Sequence, residues 1–567
     1  MIVAEALAAG LQRHGIEVIF SQCFPMRTQH VAPRYGIRQI GFRTENAGGA
    51  MADGYARMTR RIAVVAAQGG PGATLLVPPL AEALTASVPL LALVEESSRI
   101  EADKNAFQEF DHFKLFESCS KWTRRVERPD RLDDYLDMAI ARATSGRPGP
   151  VVLLLPVNVL NDTAVPSKRT LKLGQFPLDR VTPERSRLAE AAELLAGAKR
   201  PLIYAGGGVH LSDAAAELVA LAEKTSIPVA TTNMGKGSID ERSPLSLGTF
   251  GNTMGRGSLG ASLKSFASDA DVVLLVGTRT NANGTDGWGL LPKEARYIHI
   301  DMDGAEVGRN YEALRLVGDA KATLAALSTE LDRFDFSGRA EERKRIAAAV
   351  EAARATRKAH LDEVGAGQQG SLRPEAMLQV LDSLLRPQDV VVTDASFATN
   401  WVSAFISAPA TGSRILEPRG LAGLGWGFPM AIGAKLARPD SNVFAIVGDG
   451  GFGHCWAELE AARRLGVNVV VVVLNNGILG YQLLGEELGY GTHSDASEFG
   501  PVDHAAIARA CDCHGERVAS PTEIRPAFER AIAAGRPALI DLIVDPKSHP
   551  PINTFEKMAK ARATAAA

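Results

Sequence analysis

The chain has 567 residues, of which 46% are hydrophobic and 22% charged, and its formal net charge is −3. A chain of this length is too long for one core and predicts three or four globular domains. The near-neutral charge gives no footing to a nucleic-acid partner, and no apolar run approaches the ~18 residues of a membrane span.

The N-terminal stretch MIVAEALAAGLQRHGIEVIF has no basic segment ahead of its apolar part. It reads as the first helix of a mature chain and not as a signal peptide. The cysteines Cys23, Cys119, Cys455, Cys511 and Cys513 are scattered, and the CxC pair lacks a second pair with which to hold a metal. Reduced thiols and a cytoplasmic location are the expectation.

Apolar strand-like runs then alternate with helical patterns in three blocks, which predicts parallel α/β domains built as doubly wound sheets. Residues 1–165 carry IAVVAAQ, PLLALVEES and PGPVVLLLPVNVL. The polar, proline-bearing stretch 166–188 reads as a linker. Residues 189–335 carry PLIYAGGGV, IPVATTNMG, DVVLLVGTR and YIHIDMD, and a charged helical stretch leads on to residues 371–546, which include DVVVTDAS and PALIDLIVDP. The tail, 547–567, is rich in Ala and Lys and is a candidate lid.

The most informative segment lies in the third block, AIVGDGGFGHCWAELEAARRLGVNVVVVVLNNGILG. It reads as strand, glycine turn, amphipathic helix, second strand and paired asparagines. Ligands of open parallel sheets bind beyond the carboxyl ends of the strands, so this order brings Asp449 and Asn476 to one crevice. A carboxylate, an amide oxygen and a backbone carbonyl near Ile478 form a hard-oxygen set suited to Mg²⁺. Gly448, Gly450 and Gly451 let the backbone approach a diphosphate with no Cβ in the way. Taken singly, the glycines are an ordinary turn and the asparagines a strand terminator; the pairing at this distance carries the signal. Far upstream, FRTENAGGAMADGYARMTRR places Glu45 at the start of a helix, where the dipole alone would favour a carboxylate.

The GDG run followed at this distance by NN resembles the thiamine diphosphate (ThDP) binding motif, and the Glu45 segment resembles the acidic motif of the same enzymes. The three blocks resemble the pyrimidine-binding, central and diphosphate-binding domains of ThDP carboligases and decarboxylases over nearly the whole chain. The resemblance implies that Asp449, Asn476 and Ile478 hold Mg²⁺ and that Glu45 hydrogen-bonds the aminopyrimidine ring and promotes its imino tautomer. By the pattern in GLAGLGWGFPMAIGA, Leu424 is the apolar residue that props the cofactor into a bent form. In TDASFATNW, Ser396 and Asn400 stand where the family binds the diphosphate, with Phe397 and Ala398 in place of a Gln-His pair.

On the substrate side, FSQCFPMRTQH, AAQGGPGATLL and AFQEFDHF stand where the family has its substrate-facing loops, and the resemblance implies contacts from Gln22, Gln68 and Gln108, with His112 either a further contact or a solvated surface group. NNGILGYQLL resembles the NNxxLGMV run of acetolactate synthases, with Tyr481 and Gln482 opening a pocket-lining helix. Gln482 stands where pyruvate decarboxylases carry a glutamate, and a neutral amide cannot supply that proton. In the central block, YAGGGVHLSD lacks a full dinucleotide fingerprint, so FAD is an option and not the favoured one.

The function expected from the resemblance is a ThDP- and Mg²⁺-dependent carboligase or decarboxylase, similar to acetolactate synthase and acting on a 2-oxo acid. The alternatives are an acyl-CoA enzyme of the 2-hydroxyacyl-CoA lyase or oxalyl-CoA decarboxylase type, a cyclic-diketone hydrolase, and a catalytically silent ThDP-fold protein. Intact Glu45, Asp449 and Asn476 argue against the last. Family members share active sites between subunits, which implies a homodimer or homotetramer.

Overall fold

The computed structural model describes residues 1–366 and 372–566. Ser371, the expected start of the third block, lies outside them. As the alternating pattern predicts, the described residues form three six-stranded sheets, each wholly parallel. The first holds β1 (Val18–Phe20), β2 (Arg38–Ile40), β3 (Ala63–Gln68), β4 (Leu90–Glu96), β5 (Trp122–Arg125) and β6 (Val151–Pro156), in the order β2-β1-β3-β4-β6-β5. The segment read as one opening helix divides: the helix stops at Arg13, and the β-branched run that follows enters the sheet as β1.

The second sheet holds β7 (Pro201–Ala205), β8 (Val229–Thr231), β9 (Ser246–Thr249), β10 (Val272–Val276), β11 (Arg296–Asp301) and β12 (Ala313–Val317). Its order, β12-β11-β10-β7-β8-β9, reverses between β7 and β10. The third sheet holds β13 (Val390–Thr393), β14 (Arg414–Leu416), β15 (Val443–Gly448), β16 (Val470–Asn475), β17 (His514–Val518) and β18 (Ala538–Ile543). Its order, β14-β13-β15-β16-β18-β17, repeats that of the first sheet strand for strand. β13 and β16 are almost unbroken β-branched and leucine runs because helices cover both faces of a parallel sheet, leaving no solvent face for polar residues.

The first and third domains share one continuous core, while the central domain has its own. The shared core passes through two crossing helices. Helix Glu45–Thr59 starts at Thr44, whose hydroxyl accepts from the Ala47 amide at 3.3 Å, and ends at Arg60 in the left-handed region (φ 53°). It packs on helix Gly427–Ala437 at backbone contact distance. A Cβ on Gly54 would land on the Met430 carbonyl, and one on Gly433 would land on the Met51 carbonyl. Gly54→Val should therefore force the helices apart and cost about 1–3 kcal/mol or more. A urea melt monitoring global unfolding checks this, and wild-type stability in the variant would contradict it.

Candidate functional site

Strands β13, β15 and β16 end at one cleft of about 570 Å³. Asp449, Asn476 and Ile478 lie on its wall together with Gly448, Gly450, Gly451, Leu424 and Ser396. The Asp449 carboxylate accepts from the Gly450 amide at 3.0 Å and the Gly477 amide at 2.7 Å, which ties the glycine turn to the paired asparagines. The Asn476 side-chain oxygen accepts from the Ile478 amide at 3.3 Å.

Burial pushes the Asp449 carboxyl up to about 6, against the pull of these backbone amides. Among the described residues no cationic side chain forms an ion pair with Asp449. A cation beside Asp449 would supply the missing countercharge. The available donors are oxygens of the hard type that Mg²⁺ takes, and a Cβ built on Gly448 meets nothing within 4 Å, so the turn presents bare backbone to open space. The residues present thus fit a magnesium diphosphate.

Asp394, at the carboxyl end of β13, is fully buried, and its carboxyl is raised by that burial. It accepts from the amides of Gly425 (3.0 Å), Trp426 (3.2 Å) and Gly427 (3.3 Å), and this holds the turn that presents Leu424 to the cleft. The same carboxylate occupies the place a Cβ on Gly451 would need, which explains a glycine there. Ser396 has φ 66°, a strained value for a non-glycine residue, and opens helix Phe397–Phe405 at the cleft wall. Asn400 lies one turn deeper and does not line the cleft; its side-chain nitrogen donates to the Ser396 carbonyl at 2.9 Å, and its buried oxygen has no partner.

Helix Gly480–Tyr490 starts on the cleft wall at Gly480, but Tyr481 and Gln482, the next two residues, do not line the cleft. The Tyr481 ring is 5.9 Å from the Phe397 ring and 4.8 Å from that of Phe555, centroid to centroid. Phe555 belongs to the tail helix Asn553–Ala566, which is anchored on the central domain by Glu556 accepting from the Arg256 amide (2.7 Å) and by Lys557 pairing with Asp286 (2.8 Å). Gln482 itself is exposed.

The first domain gathers a second cluster, and none of it lines the cleft. Glu45 is the first residue of its helix, and its carboxylate lies 3.1 Å from where a Cβ on Gly72 would stand. Gln68 ends β3 just before that turn. Gln108, left-handed at φ 60°, packs its Cβ over Gly70. Gln22 donates to the Arg43 carbonyl at 2.9 Å, and the charge of Glu45 contributes to raising the Cys23 thiol, behind burial and Glu95. His112 is no solvated surface group. It is buried between the Gly70 amide (3.0 Å) and Glu96 (2.9 Å), which in turn pairs with Arg125. The candidate residues therefore fall into two separate clusters, one on each of the topologically matching domains.

A larger cleft of about 1140 Å³ opens in the central domain where its strand order reverses between β7 and β10. Gly207, Gly208 and Gly277 line it, and Cβ atoms on Gly208 or on its neighbour Gly206 would collide with the Gly277 backbone. Arg147, Arg279 and Asp301 lie on its wall. Burial raises the Asp301 carboxyl to about 6 and lowers the Arg279 guanidinium.

Three family descriptions match the chain: "Thiamine pyrophosphate enzyme, N-terminal TPP binding domain" at residues 1–115, "central domain" at 188–327 and "C-terminal TPP binding domain" at 394–542. Among curated relatives, a probable acetolactate synthase large subunit of Methanococcus aeolicus is 32% identical over 566 residues, covering 96% of this chain and 92% of the relative. The acetolactate synthase of Mycobacterium bovis is 32% identical over 558 residues, covering 95% and 88%. The acetolactate synthase large subunit of Corynebacterium glutamicum is 31% identical over 566 residues, covering 96% and 87%.

Proposed function

The chain belongs to the thiamine pyrophosphate enzymes, and from that premise we propose that it is a ThDP- and Mg²⁺-dependent carboligase or decarboxylase of 2-oxo acids, acting as the acetolactate synthases do. The observation that carries the reading is the cleft where Asp449, Asn476, Ile478 and the bare glycine turn converge beside Leu424. ThDP, when bound, supplies the electron sink that C–C bond cleavage and formation require.

The chain's own groups have distinct tasks. Asp449, Asn476 and the Ile478 carbonyl would hold Mg²⁺ against the diphosphate, and Gly448, Gly450 and Gly451 would keep side chains out of its way. Ser396 lies at the start of helix Phe397–Phe405, whose N-terminal end favours the diphosphate charge. Leu424 would fill the space under the cofactor and hold its two rings together. Glu45 would hold a proton at the pyrimidine N1′ atom, and Gln22, Gln68 and Gln108 lie on the same domain to orient the substrate. Gln482 can donate and accept hydrogen bonds but cannot deliver a proton as an acid would, which favours ligation over release of a free aldehyde. The tail, whose Phe555 ring packs against Tyr481 and near Phe397, would close over the same site.

Because the first-domain cluster is absent from the cleft wall, the reading requires two copies of the chain. Glu45 of the partner subunit would complete the site begun by Asp449, in a homodimer or a pair of such dimers. The test is to incubate the protein with ThDP, Mg²⁺ and pyruvate, then with glyoxylate and benzoylformate, and to read CO₂ and ligation products by mass spectrometry. Ligated product or CO₂ that depends on both cofactors supports the reading; no turnover of any 2-oxo acid would sink it.

A second reading concerns the central cleft. Its place at the strand-order reversal, its close-packed glycines and its arginines favour the adenosine diphosphate end of a larger molecule. FAD and coenzyme A both carry that end. Flavin absorbance retained through gel filtration would select FAD, heat released on adding coenzyme A would select the thioester class, and neither would overturn this second reading.

A further inference from the structure

Two buried glutamates reach across between the first and third domains, in opposite directions. Glu82, on helix Val77–Ala86 after β3, is 2% exposed. It accepts from three successive amides of the third domain: Gly420 at 2.8 Å, Leu421 at 2.6 Å and Ala422 at 3.3 Å. Those residues open the turn that continues through Leu424 to Gly425, where Asp394 takes hold. The turn needs holding, since Ala422 (φ 63°) and Gly425 (φ 84°) are both left-handed. Arg57 backs the carboxylate at 3.5 Å and donates to the Glu417 carbonyl at 3.1 Å.

Glu458, on helix Glu458–Leu465 after β15, is 1% exposed. One of its oxygens accepts from the amides of Arg43 (3.0 Å) and Thr44 (3.2 Å), the two residues immediately before Glu45, and the other accepts from Arg43 as well (3.1 Å). β3 and β15 hold the same place in the two matching sheets, so the contacts form a reciprocal pair.

We propose that Glu82 and Glu458 are reciprocal positioning residues, each holding the backbone segment that delivers the other domain's cofactor-facing residue, Leu424 for Glu82 and Glu45 for Glu458. Hydrogen bonds from backbone amides to a carboxylate are strong and directional, so a buried acid fixes the segment more firmly than apolar packing does. The assignment rests on the reading that Leu424 and Glu45 meet ThDP.

The two clamps differ in a testable way. One oxygen of Glu458 reaches both amides, with the Arg43 amide shared onto the second, so Glu458→Gln, which keeps one acceptor oxygen, should preserve most of the grip while Glu458→Ala loses it. Glu82 uses both oxygens, so Glu82→Gln should fail as Glu82→Ala does. Hydrogen exchange on the full chain without cofactor reads this directly. Exchange at Arg43 and Thr44 should quicken at least tenfold in Glu458→Ala and stay slow in Glu458→Gln. Exchange at Gly420, Leu421 and Ala422 should quicken at least tenfold in both Glu82 variants. With saturating ThDP and Mg²⁺, the same three weakened variants should lose at least tenfold in kcat with substrate KM within twofold of wild type.

Wild-type exchange at those amides, or loosening spread evenly through both crossing helices, would overturn the proposal. If the variants do not fold, exchange in the unmodified chain decides, with protection of the five amides supporting the clamps and free exchange overturning them. Absence of turnover in the unmodified protein would sink the functional reading alone, since the exchange pattern needs no cofactor.

Discussion

Glu45→Gln is expected to lower turnover by roughly 10²–10⁴-fold, the range that a positioned acid or base contributes. The substitution keeps the shape and one hydrogen-bonding oxygen but removes the group that exchanges a proton at the pyrimidine. It leaves the fold nearly untouched. Glu45 is partly exposed at the first turn of its helix, and Thr44 caps that turn independently. Losing a charge at a helix start costs only about 0.3–1 kcal/mol. Steady-state kinetics beside a thermal melt checks both halves, and full activity in the variant would remove Glu45 from the mechanism.

Asp449→Ala is expected to weaken ThDP binding in the presence of Mg²⁺ by about 100-fold or more, since loss of a supporting partner alone costs ~10–100-fold in metal affinity. The direction follows from the site. The carboxylate bridges the Gly450 and Gly477 amides and, among the described residues, forms no ion pair, so its charge is free to face a metal. The sharper readout is the metal dependence. Wild-type affinity for ThDP should climb with Mg²⁺ concentration, whereas the variant should respond little. Calorimetric titrations with and without Mg²⁺ measure this, and equal affinity in variant and wild type would contradict the metal assignment.

The fold class was legible because buried parallel strands must be apolar along their whole length, and Val470–Asn475 and Val390–Thr393 show it. The convergence of the third-domain candidates was legible because Asp449 and Asn476 follow consecutive strands, so spacing along the chain translates directly into nearness in space. Asp394, Glu82 and Glu458 were missed. Each acts on backbone amides, which carry no side-chain signature, and two of them act on another domain. An acid closing a β-branched strand, as Asp394 does, was the one local signal available. The solvated alternative for His112 fails for a related reason, since its burial depends on Glu96 and Arg125 from β4 and β5. Asn400 shows the opposite error: helical periodicity turns it beneath the cleft wall while Ser396 stays on it.

The central claim is that two copies of the chain build each active site, Glu45 coming from one and Asp449 from the other. Co-expression of Glu45→Gln and Asp449→Ala chains tests it most directly, because each variant alone should be inactive. In a mixed dimer one site combines both defects and the other combines two intact halves. Statistical mixing then predicts recovery of about one quarter of wild-type 2-oxo acid turnover. Activity no higher than that of the separate variants, in a preparation shown by mass spectrometry to contain mixed dimers, would contradict the account.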